Sequence, residues 1–600
     1  MPRVIPGLLA PAKGSGSSCP LDICKTKTNG NSCLSFDKPG QVWLRAAMHT
    51  PRIWGTLDPF VESGAVMGRK VANTGFLDAL LRADSFDAYH FFMPSLRERD
   101  IQEQLLTARY PALAGQKKIQ VLTRRDLPAA LTATPYAVFH LSDCITSQAR
   151  LAAARNAWGK TIFPITGTTH SLSYSKYVRE FLAHLWPGTT RRDAIVTTSR
   201  AGQSVVASIF AGLRQSYGLS PQAYPAPELV RIPLGVDATT WGALTGEART
   251  TARSRYTIAA DATVLLVFGR ISHSSKMDLL PLFRAIQRLI AAGIDPAGLC
   301  LVAAGWTDDD DGPFTETLSA LAANIGLPFR LVKRPSDTEK CALFGLADVF
   351  VSLADNPQET FGLTLLEAMA AGLPVVASDY DGYRDIVVPG KTGFLAPTFG
   401  APDTDPQDLL APLCYDNHTH LFLAQGLAVD VPAVAEALAA LVRDAGLRQA
   451  MGRAGRDRVL AGFTWDAVIA AHMAVWERLS GEPIGDRNEL AGVRHPMAMA
   501  YGDVFKEYPS ALLSDAVRLT WSRVGQAVYR GKEYPVVYAG LGREISLPAL
   551  RTLLFLARSG CPGLTLAARL AAAQPELDAA AARFHVLWAL KQDLLEREGA

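Results

Sequence analysis

The stretch Ala347–Ala396, ADVFVSLADNPQETFGLTLLEAMAAGLPVVASDYDGYRDIVVPGKTGFLA, decides how the rest of the chain is read. Val349 to Leu353 is a short apolar, β-branched run of the kind that forms a buried parallel strand. Asp355 to Phe361 is a polar loop holding Pro357. Gly362 to Ala371 is rich in helix formers, with Leu363, Leu366 and Ala370 on one face. Gly372 is a natural helix stop and Pro374 blocks continuation. Pro374 to Ser378 then reads as the next strand. A helix that starts just after a strand offers free backbone N–H groups and a positive dipole end to an anion. Two carboxylates flank that pole, Glu359 in the loop and Glu367 in the helix. Carboxylates repel phosphate, so their use there is to accept hydrogen bonds from uncharged hydroxyls. A diphosphate joined to sugars on both sides needs that combination of amides and carboxylates.

The string NPQETFGLTLLEAMAAGLPVVAS, residues 356–378, resembles the Glu-x7-Glu signature of retaining, family-4-type (glycosyl transferases group 1) glycosyltransferases with the GT-B fold. The match includes the loop, both glutamates, the Phe-Gly pair and the following strand. The resemblance implies an α/β architecture of two Rossmann-like domains facing across a cleft. It implies a hexosyltransferase-type enzyme that moves a sugar from a nucleotide-diphosphate sugar to a hydroxyl acceptor with retention of configuration. The acceptor class stays open among glycan, lipid, protein and small molecule. The nucleotide base and the donor sugar stay open too, read by loops around Val332–Pro335 and Asp355–Glu359.

Length and composition set the outer bounds. Six hundred residues exceed one ordinary core and fit two or three domains. A hydrophobic share of 48% and a charged share of 20% belong to a globular chain rather than a disordered one. A net charge of +3 gives no reason to invoke nucleic acid. No apolar run approaches a membrane span, so the expected address is cytoplasmic, with peripheral contact at the inner membrane face as the alternative. Of eight cysteines, Cys19, Cys24 and Cys33 cluster in a Gly/Ser/Lys-rich leader; their spacing, with no nearby histidine or fourth cysteine, makes a poor metal site.

Residues 1–39 read as a flexible leader. Residues 40–250 alternate apolar runs with helical patterns, the strands being Val42–Met48, Phe86–Met93, Ile119–Leu122, Tyr136–Leu141, Thr161–Ile165, Ala194–Thr198 and Leu229–Ile232. The segment near Glu247 to Ala260 is charged and Thr/Ala-rich, and reads as a linker. Residues 255–480 restart the pattern with Val264–Phe268, Leu299–Ala303, Phe329–Val332, Val349–Leu353 and Val375–Ala377. Such alternation argues for parallel sheets covered on both faces, with ligands beyond the carboxyl ends of the strands. Gly481–His495 is linker-like. Residues 496–600 form a C-terminal extension, with a small strand pair expected within Trp521–Tyr538 and helices at Leu547–Arg558, Leu564–Ala573 and Leu577–Leu595. A small winged-helix-like or helical module that binds a partner or acceptor, and a packing appendage, are both open for it. It lacks the dense basic face of a DNA-binding unit.

FGRISHSSK, residues 268–276, is the second informative string. Arg270 ends a strand and Lys276 follows, placing a guanidinium fork and a mobile ammonium at the ligand edge of the sheet. The resemblance implies that Arg270 and Lys276 grip the donor diphosphate, that Glu367 holds the ribose and that Glu359 lies near the transferred sugar. It implies that amides around Phe361, Gly362 and Leu363 face phosphate or sugar. In TIFPITGTTHSLSY, residues 161–174, it places His170 beside a sugar hydroxyl or the reacting centre; His90, His140 and His273 are weaker candidates. The family's N-terminal glycine-rich loop is altered in WGTLDPFVESGAVMGRKVANTGFLDALL, residues 54–81, where Gly64 and Gly68 stand without a glycine pair. Lys176–Arg192 mixes cations with Tyr177, Phe181, Leu185 and Trp186, so a solvated helix is expected and a membrane-surface helix is the alternative. Asp308–Asp311 reads as a solvated loop. No metal and no cofactor beyond the co-substrate are expected. Two other classes stay open: a catalytically silent nucleotide-sugar-binding or scaffold protein, and a sugar-nucleotide epimerase or phosphorylase on a similar fold.

Overall fold

The computed structural model describes residues 51–62, 68–307, 312–414 and 416–599. The leader with its three cysteines, the strand expected at Val42–Met48, Gly64 and Asp308–Asp311 lie outside the described residues. The first sheet contains seven strands: β1 (Ile53–Thr56), β2 (Ala88–Met93), β3 (Ile119–Thr123), β4 (Tyr136–Leu141), β5 (Ile165–Thr168), β6 (Asp193–Thr197) and β7 (Glu228–Arg231). The second contains six: β8 (Thr263–Arg270), β9 (Leu299–Trp306), β10 (Phe329–Lys333), β11 (Val349–Ser352), β12 (Val375–Ser378) and β13 (Gly393–Ala396). Their orders are β3-β2-β1-β4-β5-β6-β7 and β10-β9-β8-β11-β12-β13, parallel throughout. Each order reverses once, between β1 and β4 and between β8 and β11, which opens a crevice at the carboxyl ends of those strands. The chain therefore has the two Rossmann-like lobes of a GT-B fold, with a small, mainly helical extension whose Arg543 pairs with Asp126 of the first lobe.

Physical reasons for the elements are local in the second lobe. Strands β11 and β12 are buried at every residue, as apolar runs covered on both faces should be. Gly362 starts the helix Leu363–Ala370 with φ at +113°, a conformation that side-chain-bearing residues rarely adopt. Leu365 to Ala370 are all buried. The helix packs on Ala445–Gly462, and a Cβ at Gly452 would stand 1.9 Å from the Gly372 carbonyl oxygen. The second helix meets the backbone of the turn that follows the first there.

Three segments differ from expectation. The segment read as a linker contains the helix Gly246–Arg255, whose Arg249 and Arg253 bind Asp348 at 2.6 and 2.7 Å and tie it to the second lobe. The helix Trp465–Gly481 leaves the second lobe and packs on the first. Trp465, Val468, Ile469 and Trp476 join Trp54, Phe76 and Tyr89 in one core, and the Trp476 indole N–H donates to Thr166 Oγ1 at 2.9 Å. Residues 255–480 are thus not one spatial unit, because this helix completes the first sheet's cover. In the extension, Arg518–Trp521 does not pair within Trp521–Tyr538. It is the central strand of an antiparallel sheet with Cys561–Pro562 and Leu595–Arg597, over the helices Leu547–Ala557, Gly563–Ala573 and Ala579–Lys591.

Candidate active site

A cavity of about 550 Å³ lies between the lobes at the carboxyl ends of the strands. From the second lobe it is lined by Arg270, Lys276, Glu359, Phe361, Gly362, Leu363 and Glu367, and from the first by His170. All eight candidate site residues therefore meet in one place, although the first and last are 197 positions apart in the chain.

Arg270 ends β8 in register with Trp306 at the end of β9. Its guanidinium makes no hydrogen bond or ion pair with another described residue, and it lines the cavity. Lys276 is committed differently. Its ammonium is bonded to Glu359 Oε2, and both side chains are largely buried. Burial works against each charge, but the pairing wins. The Lys276 pKa is raised, and the Glu359 carboxyl lies below its usual range because Lys276 and the Phe361 and Thr360 amides face it. Of the three amides expected to face ligand, that of Phe361 is turned to Glu359 Oε1 at 3.3 Å, and the Phe361 side chain is in the core. The helix end that remains, from Gly362, carries the positive pole of the dipole.

Glu367 is nearly buried. Its Oε1 accepts from Lys340 Nζ at 2.6 Å, whereas its buried Oε2 has no partner among the described residues. Burial pushes this carboxyl up, with Lys340 opposing. A carboxylate oxygen with free lone pairs at the edge of a cavity can accept a hydroxyl from a ligand.

His170 follows β5. Its Nε2 lies 2.8 Å from the Ser142 carbonyl and 3.1 Å from Asn73 Oδ1. A carbonyl only accepts, so Nε2 bears the proton and Nδ1 keeps a lone pair. Desolvation holds the His170 pKa down at about 4, so the ring is neutral near pH 7. The other histidines are structural: His90 bonds Tyr136 at 2.8 Å and His140 bonds Thr166 at 2.8 Å, both buried, and His273 packs against Phe314. In Lys176–Arg192 the helix is only Tyr177–Leu182; Phe181, Leu185 and Trp186 are buried, and Val178 is exposed.

Several cavity residues carried no sequence signal. Arg69, Asp143, Tyr174 and Tyr177 line the first lobe's wall, and Trp306, Lys340 and Gln358 the second's. His420 is fully buried behind Gln358, whose amide donates to its Nδ1 at 2.6 Å, while its Nε2 lies 3.2 Å from the Ser173 carbonyl. Trp306 alone had a cue, since it ends its strand as Arg270 does.

Two parallel-sheet lobes meeting over such a cleft form the GT-B architecture. Residues 248–404 match the family "Glycosyl transferases group 1", so the chain carries that domain. It is a transferase of the hexosyltransferase type. Among curated proteins it is similar to the GDP-mannose-dependent alpha-(1-6)-phosphatidylinositol monomannoside mannosyltransferase of Mycobacterium tuberculosis, 27% identical over 54% of this chain and 70% of that one. It is also similar to the D-inositol 3-phosphate glycosyltransferase of Kribbella flavida, 29% identical over 38% of this chain and 48% of that one. Among solved structures, Anabaena HepE in complex with UDP and glucose aligns at a TM-score of 0.47 and 14% identity, over 72% of this chain and 100% of that one. Among the described residues no helix is long and apolar enough to cross a membrane, and no group of three His, Cys, Asp or Glu side chains could hold a metal ion.

Proposed function

We propose that the chain transfers a hexosyl group from a nucleotide-diphosphate sugar to a hydroxyl acceptor with retention of configuration. The second lobe takes the donor and the first takes the acceptor. One observation carries this reading: Arg270 and Glu367 line the same cleft, and the guanidinium of one and a carboxylate oxygen of the other have no partner among the described residues. The guanidinium suits a diphosphate and the carboxylate a ribose hydroxyl.

In this mechanism Arg270, Lys276 and the Gly362 helix end stabilise the negative charge that grows on the departing nucleoside diphosphate. Glu359, fixed by Lys276, orients the transferred sugar. Glu367 orients the ribose. Neutral His170 accepts a hydroxyl proton in a hydrogen bond at Nδ1. The acceptor oxygen attacks from the face that the diphosphate leaves, through an oxocarbenium-like transition state, and a leaving phosphate oxygen takes the acceptor's proton. These groups supply the positive charge that the step requires, so the reading includes no metal and no cofactor beyond the co-substrate. The first donor to test is GDP-mannose, since one relative is named for it. The acceptor is a hydroxyl of a glycan, lipid, protein or small molecule, handled in the cytoplasm or at the inner membrane face.

A thermal-shift panel of UDP, GDP, ADP and their sugar conjugates tests this. A true donor stabilises the native state by RT ln(1 + [L]/Kd), and Glu367→Ala should abolish the shift. No shift with any of them would refute the reading. Binding without turnover would favour the silent-protein alternative, and an altered sugar nucleotide formed without acceptor would favour the epimerase.

A further inference from the structure

The cavity wall holds a second buried ion pair besides Lys276–Glu359, and its cation belongs to a residue with no assigned role. Lys340 sits on the helix Asp337–Leu346, whose start is fixed by a capping box between Ser336 and Glu339. The side chain passes between two aromatic rings, with Nζ 5.1 Å from the centroids of both Trp241 and Phe268. Such a sleeve favours a cation and offers it no competing oxygen. At its end Nζ donates to Glu367 Oε1 at 2.6 Å, the two side chains being 16% and 7% exposed.

The pairing divides the Glu367 carboxylate into two unlike oxygens. Oε1 is taken by Lys340, and Oε2 is buried and without a partner among the described residues, on a side chain that lines the cavity. A bidentate guanidinium would have occupied both oxygens, whereas a point-charge ammonium occupies one. Without a counter-charge, a carboxyl buried to this degree takes up a proton and loses an acceptor site.

We infer that Lys340 is a positioning residue of the donor site, holding the Glu367 carboxylate ionised and rotated so that Oε2 is presented to the donor's ribose hydroxyls. This rests on the reading of the cleft as a nucleotide-sugar site. A purely architectural role, stitching the helix Asp337–Leu346 to the helix Leu363–Ala370, makes a different prediction, because it would not depend on the chemistry of Glu367.

Isothermal titration of the full chain with GDP-mannose, UDP-glucose and ADP-glucose separates the cases, using K340M, K340Q, K340R, E367Q and the double variant K340M/E367Q. For whichever of the three sugar nucleotides binds the unaltered chain, K340M and K340Q should weaken affinity about tenfold or more, the loss of one charge-assisted hydrogen bond. K340R keeps the charge but brings a fork that can engage both oxygens, so its affinity should stay below that of the unaltered chain. The double variant should bind no more weakly than E367Q alone, since Lys340 acts only through Glu367. Additive losses in the double variant, or undiminished affinity in K340M and K340Q beside a weakened E367Q, would overturn the inference while leaving the donor site standing. Undiminished affinity in E367Q would remove the donor-site reading itself, and this inference with it.

Discussion

Replacing Arg270 by alanine isolates the electrostatic part of the proposed reaction. Arg270 stands at the end of β8 with no hydrogen bond or ion pair to another described residue, so its removal strands no buried partner and should leave the melting temperature nearly unchanged. Lys276 is the contrast. Its loss would leave the Glu359 carboxylate, only 13% exposed, without its cation, and breaking such a pair from one side costs about 3–5 kcal/mol. Loss of one preorganised electrostatic donor costs about 2.7–4 kcal/mol, or roughly 100- to 1000-fold in turnover. The assay is nucleoside diphosphate release at saturating donor, with an added acceptor or with water in its place. R270A should fall by roughly 100-fold or more, and R270K should lie between R270A and the unaltered chain because an ammonium lacks the fork. Turnover in R270A within about threefold of the unaltered chain, a difference of well under 1 kcal/mol, would refute the assignment of Arg270 to the leaving group.

Asp355, nearly buried with only the Asp278 amide donating to Oδ2 at 3.1 Å, has its pKa pushed up by burial to about 7. The native state therefore binds a proton that the unfolded chain has released, and stability present below about pH 4 is lost as pH rises towards 7. D355N should raise the melting temperature at pH 8 and not at pH 4; an equal effect at both would refute the linkage. Trp465 fills the space over Gly75 and Gly235 of the first lobe, where a Cβ would come within 2.7 and 2.6 Å of its ring. W465A should cost about 3–5 kcal/mol in denaturant titration, and a cost below about 1 kcal/mol would mean that the helix Trp465–Gly481 is not integral to that lobe. Ser171 Oγ donates across the cleft to the Gln358 carbonyl at 2.7 Å. S171A should lower turnover by about threefold to tenfold, the worth of one neutral hydrogen bond, with donor affinity unchanged in titration; an equal loss of affinity would contradict a role confined to lobe apposition.

How far the sequence could be read depended on where the stabilising contacts lie. Strands β8, β9, β11 and β12 are continuous apolar runs buried on both faces, so each announces itself. Strand β1, IWGT, has four residues and a glycine over which the Phe139 ring lies, and β13, GFLA, is only partly buried; neither has the run that marks a strand. The strand expected at Thr161–Ile165 begins four residues later, at Ile165, because β5, ITGT, is dominated by small polar residues that are nevertheless fully buried. The helix Gly246–Arg255 looks like linker since its order comes from Asp348, almost a hundred residues away. The same division holds in the site. Arg270, Lys276, Glu359 and Glu367 belong to local motifs and were legible, whereas Lys340 and His420 acquire meaning only from what packs beside them.

Those packing contacts fall on the loop that carries Glu359. Ser171 reaches the carbonyl of Gln358, and Ser199 reaches that of Thr360 at 2.8 Å, so the residues on both sides of Glu359 are held by the first lobe. The side chain of Gln358 is held by His420, which also faces the Ser173 carbonyl, and Asp416 accepts from the Ser175 hydroxyl at 3.2 Å. The helix Asp416–Gln425, a second-lobe segment, thus joins both lobes beside the cavity. The pair Lys276–Glu359, in contrast, forms wholly within the second lobe. A donor can therefore find its diphosphate and ribose contacts on that lobe alone, while the carbonyls on either side of Glu359 gain their first-lobe hydrogen bonds only when the lobes meet. Under the proposed reaction, binding and turnover draw on separable sets of contacts, and the interface between the lobes governs the second.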